Sequence, residues 1–274
     1  MQFRNILCTA FLLCSQLTVA NGLSDDSLSL YQNSSAEIRI EQFSPQIAQK
    51  FAGNSGVNKV VQTKIISAIE SAYHPSHFEK HIVRAFDTSL NWQERRKILQ
   101  WLDTPVGRKA ALGEAMALMN ATRTGMTGTI EKARRLESTT KAELVDVVEM
   151  AAMESALQLD INVFQASIST FAASAPKSQP GLKDYSTFFA ATDSRRREIA
   201  SLNYSFSRSL LSVAYSDFSK QEMKSTISFW GSPTGTRFSV ALHKGITNAF
   251  NEANQRLNRD VIDIISTSTL ASAN

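Results

Sequence analysis

The chain has 274 residues, of which 43% are hydrophobic and 20% are charged, as is typical of a globular protein. Its formal net charge of +4 is mild, and basic and aromatic residues are not interleaved, which argues against a nucleic-acid-binding protein. Only 11 glycines and 6 prolines interrupt the sequence, so helices are favoured over an all-β sandwich, which needs frequent turns.

Residues 1–20 have the features of a secretory signal peptide. Arg4 provides the positive start, residues 6–19 are mostly apolar, and Thr18, Val19 and Ala20 form a small-x-small cleavage site. The apolar run is shorter than the ~20 residues that a membrane-spanning helix needs. We therefore expect cleavage after Ala20, with no transmembrane span left in the mature chain.

Both cysteines of the chain, Cys8 and Cys14, lie inside this signal segment. Cleavage would leave a protein without thiols, which suits an oxidising compartment because no stray cysteine can pair wrongly there. It would also exclude cysteine catalysis and thiolate metal sites. The sequence therefore predicts a periplasmic or secreted protein.

The mature chain begins with a polar stretch and continues with amphipathic helices. Residues 21–43 are rich in Ser, Asp, Asn and Gln, so we expect a flexible leader there. Helical patterning starts near Ser44 and is clear over residues 57–73, where apolar residues recur every three or four positions. Asn91 followed by Glu94 predicts a capping box at the start of another helix.

The remaining elements suggest an all-α helical bundle built from two related halves, residues 44–140 and 141–274. Residues 124–128 predict a flexible connection, and residues 175–181 are the best candidate for a linker. A long helix is expected from Thr139 or Thr140 to about Phe171, and helices resume at Leu182 and after Asp193. The helix that follows Pro105 is expected to bury a stripe formed by Ala110, Leu112, Ala115, Met116 and Met119.

One helix-break-helix motif occurs twice, with the copies 128 residues apart. In each copy a capped helix ends near an aromatic residue, and Ser or Thr followed by Pro starts the next helix, because proline is tolerated in a first turn. Glycine within that turn costs about 1 kcal/mol of helix propensity relative to alanine, so it predicts a close approach by another backbone such as the preceding helix. The motif residues are Glu94, Trp101, Thr104, Pro105, Gly107 and Lys109 in the first copy, and Glu222, Phe229, Ser232, Pro233, Gly235 and Arg237 in the second.

This motif resembles the signature of an exported bacterial family, the domain of unknown function numbered 2059, which has aromatic-x-Ser/Thr-Pro-x-Gly-x-Lys/Arg behind a Glu-containing helix. Trp101-Leu102 stands where Phe-Tyr is commoner in the family, and Arg108 of the first copy is matched by Thr236 in the second. The resemblance covers only the two motif segments. It implies an α-helical fold and an envelope or secreted setting, and it implies no catalytic residues.

Two interpretations of the motif are open at this stage. Free backbone donors at a helix start attract anions, and Lys109 and Arg237 would assist such binding. Alternatively, the motif is a structural element that stops one helix and starts the next, and capping and packing then account for every residue type in it. The structural interpretation is favoured.

A small group of histidines, His74, His77 and His81, is the other candidate site. His77 and His81 are four residues apart and share a helix face, as paired metal ligands do. No third ligand stands at a fixed spacing, and the Glu that follows the first His in metalloprotease helices is missing. Surface or half-buried histidines without a metal are therefore favoured.

No nucleophile elbow, phosphate loop or dinucleotide fingerprint is present in the sequence. We accordingly expect no cofactor and predict a non-enzymatic binding or interaction protein of the bacterial envelope, with an unknown protein or envelope component as its partner. The alternative is a metal-dependent envelope enzyme that uses His74, His77 and His81.

Overall fold

The structure, a computed structural model, describes residues 24–54, 59–136 and 208–271. Every regular element in these ranges is an α-helix, which confirms the predicted all-α class, and none of these helices is long and apolar enough to cross a membrane. The predicted signal peptide, long helix and linker fall outside the ranges. The helices are α1 (Asp25–Asn33), α2 (Ala36–Glu41), α3 (Phe43–Asn54), α4 (Lys59–Ala72), α5 (Pro75–Ser89), α6 (Trp92–Leu102), α7 (Pro105–Leu136), α8 (residues 208–214), α9 (Lys220–Trp230) and α10 (Pro233–Ala271).

Several helix starts follow from local capping signals. His74 precedes Pro75 and caps α5, since its ring accepts a hydrogen bond from the backbone of the first turn. Asn91 and Glu94 form the predicted capping box of α6, in which each side chain binds the other residue's backbone N–H at 2.9 Å. These boundaries were therefore readable from the sequence.

The predicted flexible leader is wrong for residues 24–43, which form α1, α2 and the first residue of α3. Leu30, Tyr31 and Ile40 are at most 2% exposed and belong to the main core. Burying such side chains stabilises a protein by about 1.5–3 kcal/mol each, which outweighs the polar composition of the segment. The segment is thus an integral layer of the fold.

A carboxylate on α5 holds the start of α1 in place. Asp87 accepts hydrogen bonds from the Ser24 backbone N–H at 3.1 Å and from the hydroxyls of Ser24 and Ser27, both at 2.6 Å. Burial raises the pKa of Asp87, but the hydrogen bonds from Ser24 and Ser27 outweigh it and hold that pKa below its ordinary value. Local sequence signals could not predict this contact, because the serines lie 60 and 63 positions before Asp87 in the chain.

The main core lies between α10 and the helices α4 and α5. Its centre is an aromatic cluster in which the Phe250 ring lies 5.0 Å from the rings of both Phe43 and Phe78. Gly245 of α10 lets the two helix backbones meet, since a Cβ there would come within 2.5 Å of the Ile82 Cα. The C-terminal helix therefore completes the core of the N-terminal part of the chain.

A second, smaller core forms where α7 meets α8 and α9. A Cβ on Gly113 of α7 would lie 2.5 Å from the carbonyl oxygen of Ala214, so these backbones also approach closely. Next to this contact the buried Tyr215 hydroxyl donates a hydrogen bond to Glu114, and burial is the main reason that the pKa of Tyr215 is well above its ordinary value. The buried residues of this core are Ala110, Leu211, Tyr215, Phe218 and Met223.

The apolar stripe predicted for α7 is only partly correct. Ala110 and Ala115 are buried, but Leu112 is 62% and Met116 48% exposed. The close approach at Gly113 explains the difference, because a backbone contact favours small residues on the buried face and turns the larger ones outward. The largest apolar residues were therefore a poor guide to the buried side of this helix.

The flexible connection predicted at residues 124–128 is a kink. Helical structure continues on both sides of it, and only Gly125 leaves helical geometry, with φ of 73° and ψ of 177°. Glycine adopts this positive φ without the steric cost that a Cβ brings. The sequence thus predicted the position of the break correctly, but the break involves Gly125 alone rather than all of residues 124–128.

Candidate functional site

The two motif copies have the same local structure. In the first, the Thr104 hydroxyl donates to the Trp101 carbonyl at 2.6 Å and accepts from the Gly107 N–H at 3.0 Å. The first bond adds to the one that the Trp101 carbonyl accepts from the Thr104 backbone N–H at 3.0 Å, and the second satisfies an N–H at the start of α7 that would otherwise lack a helical partner. The same two bonds recur in the second copy at 2.6 Å and 3.1 Å, among Phe229, Ser232 and Gly235.

The motif glycines lie where two backbones nearly touch. A Cβ on Gly107 would be 2.0 Å from the carbonyl oxygen of Trp101, and one on Gly235 would be 2.2 Å from that of Phe229. No side chain fits at such a distance without moving the backbone. The close approach that the sequence predicted at these glycines is confirmed.

The aromatic residues of the two copies contact each other directly. Trp101 stacks on Phe229, with ring centroids 3.8 Å apart and planes within 3° of parallel. These residues occupy the same position in the two motifs, and a contact between equivalent positions is what a two-fold arrangement produces. The Trp230 ring packs edge-on against both, with its centroid 6.1 Å from that of Trp101 and 5.3 Å from that of Phe229.

Two reciprocal ion pairs flank this aromatic stack. Lys109 of the first copy donates to both carboxylate oxygens of Glu222 in the second, at 3.0 Å and 3.1 Å. Arg237 of the second copy donates to Glu94 of the first. Because the basic residue of each motif binds the acidic residue of the other, the two copies are mutually complementary in charge.

Glu222 has two structural tasks in this arrangement. Its carboxylate accepts from the Ser219 backbone N–H at 2.7 Å as part of the α9 capping box, and it also binds Lys109. The Ser219 hydrogen bond and, after it, the Lys109 ammonium lower the pKa of Glu222 from 4.5 to about 2. The carboxylate is therefore ionised across the whole neutral and mildly acidic range.

These contacts bear on the anion-binding interpretation of the motif. The N–H groups of Gly107 and Gly235 donate to side chains of the motif itself, and Lys109 and Arg237 bind carboxylates of the opposite copy. An incoming anion would have to displace these partners. The arrangement therefore favours the structural interpretation, in which the motif stops one helix and starts the next.

A cleft of about 440 Å³ lies beside the Trp101 and Phe229 rings. Its remaining wall comes from one polar face of α9. Near the cleft, the Trp101 indole N–H is buried and has no acceptor among the described residues. The lining residues are Trp101, Gln221, Lys224, Ser225, Ser228 and Phe229.

The candidate metal-binding histidines connect α5 to α10. The Nε2 atom of His77 lies 2.6 Å from Nη1 of Arg256, and Nε2 of His81 lies 2.8 Å from Glu252. Burial and then Arg256 lower the pKa of His77, so its neutral ring accepts a hydrogen bond from the guanidinium. His74 serves as the cap of α5. Within the described ranges, no group of three or more His, Cys, Asp or Glu residues is placed to hold a metal ion.

Sequence reasoning found every residue of the paired motif but missed that the copies bind each other. One signal was available: each copy has an acidic residue before its aromatic position and a basic residue after it, at the same spacing. Two such segments placed antiparallel bring opposite charges together at both ends. This charge pattern predicts the ion pairs only if the two copies are assumed to contact each other.

Comparisons with known proteins do not suggest a function for the chain. No protein-family model, curated protein or solved structure matches the chain. The interpretation below therefore starts from the contacts of the described residues.

Proposed function

We propose that the chain is an exported, non-enzymatic helical protein that binds a partner or a component of the bacterial envelope. The strongest support comes from the ion pairs between the two motif copies. The charged residues of the motif bind each other, so none of them is left as a free acid or base. The paired residues are Lys109 with Glu222 and Arg237 with Glu94. The signal-like residues 1–20 and the resemblance to the exported family support the compartment.

Within this proposal, the doubled motif is the joint between two related helical halves, residues 44–140 and 141–274. Equivalent residues of the two copies stack and pair, as in a two-fold interface. Packing across the joint supports the same view, since α10 lies against α5 and α6 whereas α7 lies against α9. Each helix that follows a motif proline thus packs on helices of the other half.

The test uses the full-length chain with a C-terminal affinity tag, expressed in the bacterium that encodes it. We expect a mature protein that starts after Ala20, fractionates with the envelope or medium, and is captured after chemical cross-linking with a reproducible protein or polymer. The variant Gly107→Ala is tested alongside. We expect it to lose this capture, because the added Cβ disrupts the contact between the two motif copies.

Two outcomes would contradict the proposal. One is an uncleaved chain that remains in the cytoplasm. The other is a purified mature protein that contains a stoichiometric transition metal, with both the metal and a measurable turnover lost in His77→Ala. The second outcome would favour the metal-dependent enzyme instead.

A further inference from the structure

The cleft beside the motif stack combines an aromatic wall with a regular polar face. Gln221, Lys224, Ser225 and Ser228 follow one another at helical spacing, so they form a single stripe along α9. Trp101 is half-buried at the end of α6 and adds an aromatic surface to the lining. The cleft is shallow and largely open to solvent, with a volume of about 440 Å³.

The chemistry of this lining narrows the class of ligand. A purely apolar ligand would remove the amide of Gln221, the hydroxyls of the serines and the ammonium of Lys224 from water without giving them partners, which is unfavourable for each group. A ligand that is charged throughout would find only one charged partner in the lining, the ammonium of Lys224. The lining suits a molecule with an apolar ring face, several hydroxyls and one anionic group.

We propose that this cleft binds an acidic saccharide. The C–H face of a sugar ring packs on the exposed part of Trp101, and its hydroxyls exchange hydrogen bonds with Gln221, Ser225 and Ser228. The ammonium of Lys224 binds a carboxylate or phosphate on the sugar. This inference rests on the proposed function, because it names the class of envelope component that such a binding protein would recognise.

The equivalent face of the first motif copy provides an internal comparison. On α6 the corresponding positions are Gln93, Arg96, Lys97 and Gln100, and none of them lines the cleft. Arg96 is already bound to Asp26, at 3.3 Å. The two copies therefore differ, because only α9 contributes a polar stripe to the cleft. Lys97 is an exposed lysine on the matching face of α6 and does not line the cleft.

The experiment measures sugar binding to the purified mature chain by calorimetry. The probes are digalacturonic acid, which carries carboxylates, glucose 6-phosphate, which carries a phosphate, and the neutral disaccharide cellobiose. We expect saturable binding of at least one acidic probe, and the comparison of the two acidic probes identifies the preferred anionic group. Weak or no binding of cellobiose is expected, because it cannot pair with Lys224.

Three variants locate the binding. Lys224→Gln should weaken the binding of the acidic probe about tenfold, since the variant loses a charge-assisted hydrogen bond to the anionic group. Ser228→Phe should abolish binding by filling the cleft, and its exposed position leaves the fold intact. Lys97→Gln removes the same charge from the matching face of α6 and should leave the affinity unchanged.

Two results would overturn the assignment. One is the absence of saturable binding of both acidic probes to the wild-type chain, and the other is an equal loss of affinity in Lys97→Gln and Lys224→Gln. If the tagged chain is nevertheless exported and captured with an envelope partner, the saccharide assignment alone has failed. Loss of that capture as well would mean that the proposed function has failed with it.

Discussion

Gly107 and Gly235 are the residues at which the motif tolerates least change. Their added Cβ atoms would come within 2.0 Å and 2.2 Å of carbonyl oxygens that cannot rotate away. We expect Gly107→Ala or Gly235→Ala to lower the free energy of unfolding by about 3 kcal/mol or more, at the upper end of the usual cost of overpacking. Urea unfolding followed by circular dichroism measures this.

Gly231→Ala is the matched control for these substitutions. Gly231 caps α9 with φ of −75°, it is exposed, and it lies four residues before Gly235. Alanine is compatible with that backbone, so a change within about 0.5 kcal/mol is expected. Equal effects at Gly231 and Gly235 would show that the close approach in the motif is not the cause.

The Trp101 side chain offers a second prediction at this scale. Trp101→Ala removes one ring of the stack, and we expect it to cost about 3 kcal/mol, the lower end for such truncations, since Trp101 is only partly buried. Trp101→Phe keeps a stacking ring and removes the buried N–H that has no acceptor among the described residues, so it should cost less than about 1 kcal/mol. Circular dichroism during urea unfolding is the measurement.

The exposed Trp92, with 63% of its surface accessible, is the control for loss of a large ring. Trp92→Ala should change the free energy of unfolding by no more than about 0.5 kcal/mol. If Trp101→Phe were as damaging as Trp101→Ala, the indole itself rather than the stack would be the important feature.

Features that depend on a few neighbouring residues were predictable from the sequence. The capping box at Asn91, the helix restart at Pro105 and the close approach at Gly107 each follow from the conformational needs of one or two residue types. Pairing between Trp101 and Phe229 depends on how distant segments are placed. No local property of either segment specifies that, so it required the fold.

At the scale of elements, the joint between α7 and α9 should be sensitive to acid. The pKa of Glu222 is lowered from 4.5 to about 2 in the folded chain, so the ionised form is the one that the fold favours. Its contribution to stability is therefore fully present above about pH 4.5 and is lost as the pH falls towards about 2. Protonation removes the attraction to Lys109 at the same time.

Glu222→Gln tests this acid sensitivity, because glutamine can still accept the capping hydrogen bond from Ser219 but carries no charge. We expect the wild-type chain to be more stable than the variant at pH 7, and the difference to shrink at pH 4 and again at pH 3. Urea unfolding at the three pH values gives the comparison. A difference that does not change with pH would refute the assigned role of the charge.

The helix α1 provides the next prediction, since the sequence suggested a flexible leader there. Leu30 is fully buried in the main core, so Leu30→Ala should lower the free energy of unfolding by about 2–5 kcal/mol. Gln32→Ala on the exposed side of the same helix is the control, with an expected change within about 0.5 kcal/mol. Thermal unfolding of both variants distinguishes the two possibilities. In a packed helix only Leu30→Ala lowers the stability, whereas in a flexible leader neither substitution would change it.

The reason for the wrong prediction lies in the length of the elements. Helix α1 has 9 residues and α2 has 6, so each buries only two or three side chains, too few to produce a clear periodic signal. The longer α5 has 15 residues and a well-defined buried face, and Pro75 marks its start in the sequence. The tie between Ser24 and Asp87 was equally invisible, because it joins segments that are distant in the chain.

For the molecule as a whole, the motif residues link two cores. Trp101 and Trp230 pack against both the main core and the smaller core around Tyr215. The main core itself combines residues before Asp103 with residues after Ser228. Composition and periodicity predicted the helical class. They did not predict that the last helix completes the first part of the chain, which depends on long-range contacts alone.

This arrangement implies that the described helices unfold as one cooperative unit, and Phe250 is the residue that tests it. Phe250 is fully buried among Phe43, Tyr73 and Phe78, so Phe250→Ala should cost about 3–5 kcal/mol, against the exposed control Asn251→Ala with little effect.

Two probes distinguish one unit from two in this variant. Far-ultraviolet circular dichroism follows all helices, and tryptophan fluorescence reports largely on Trp101 and Trp230 at the junction of the cores. If the cores are one unit, both signals shift to lower urea by the same amount, because a cooperative transition looks the same to every probe. A fluorescence transition that stays at its wild-type midpoint while the dichroism shifts would mean that the motif joint survives loss of the main core. The paired copies would then form a folding unit of their own, stabilised by the Trp101–Phe229 stack and the two ion pairs.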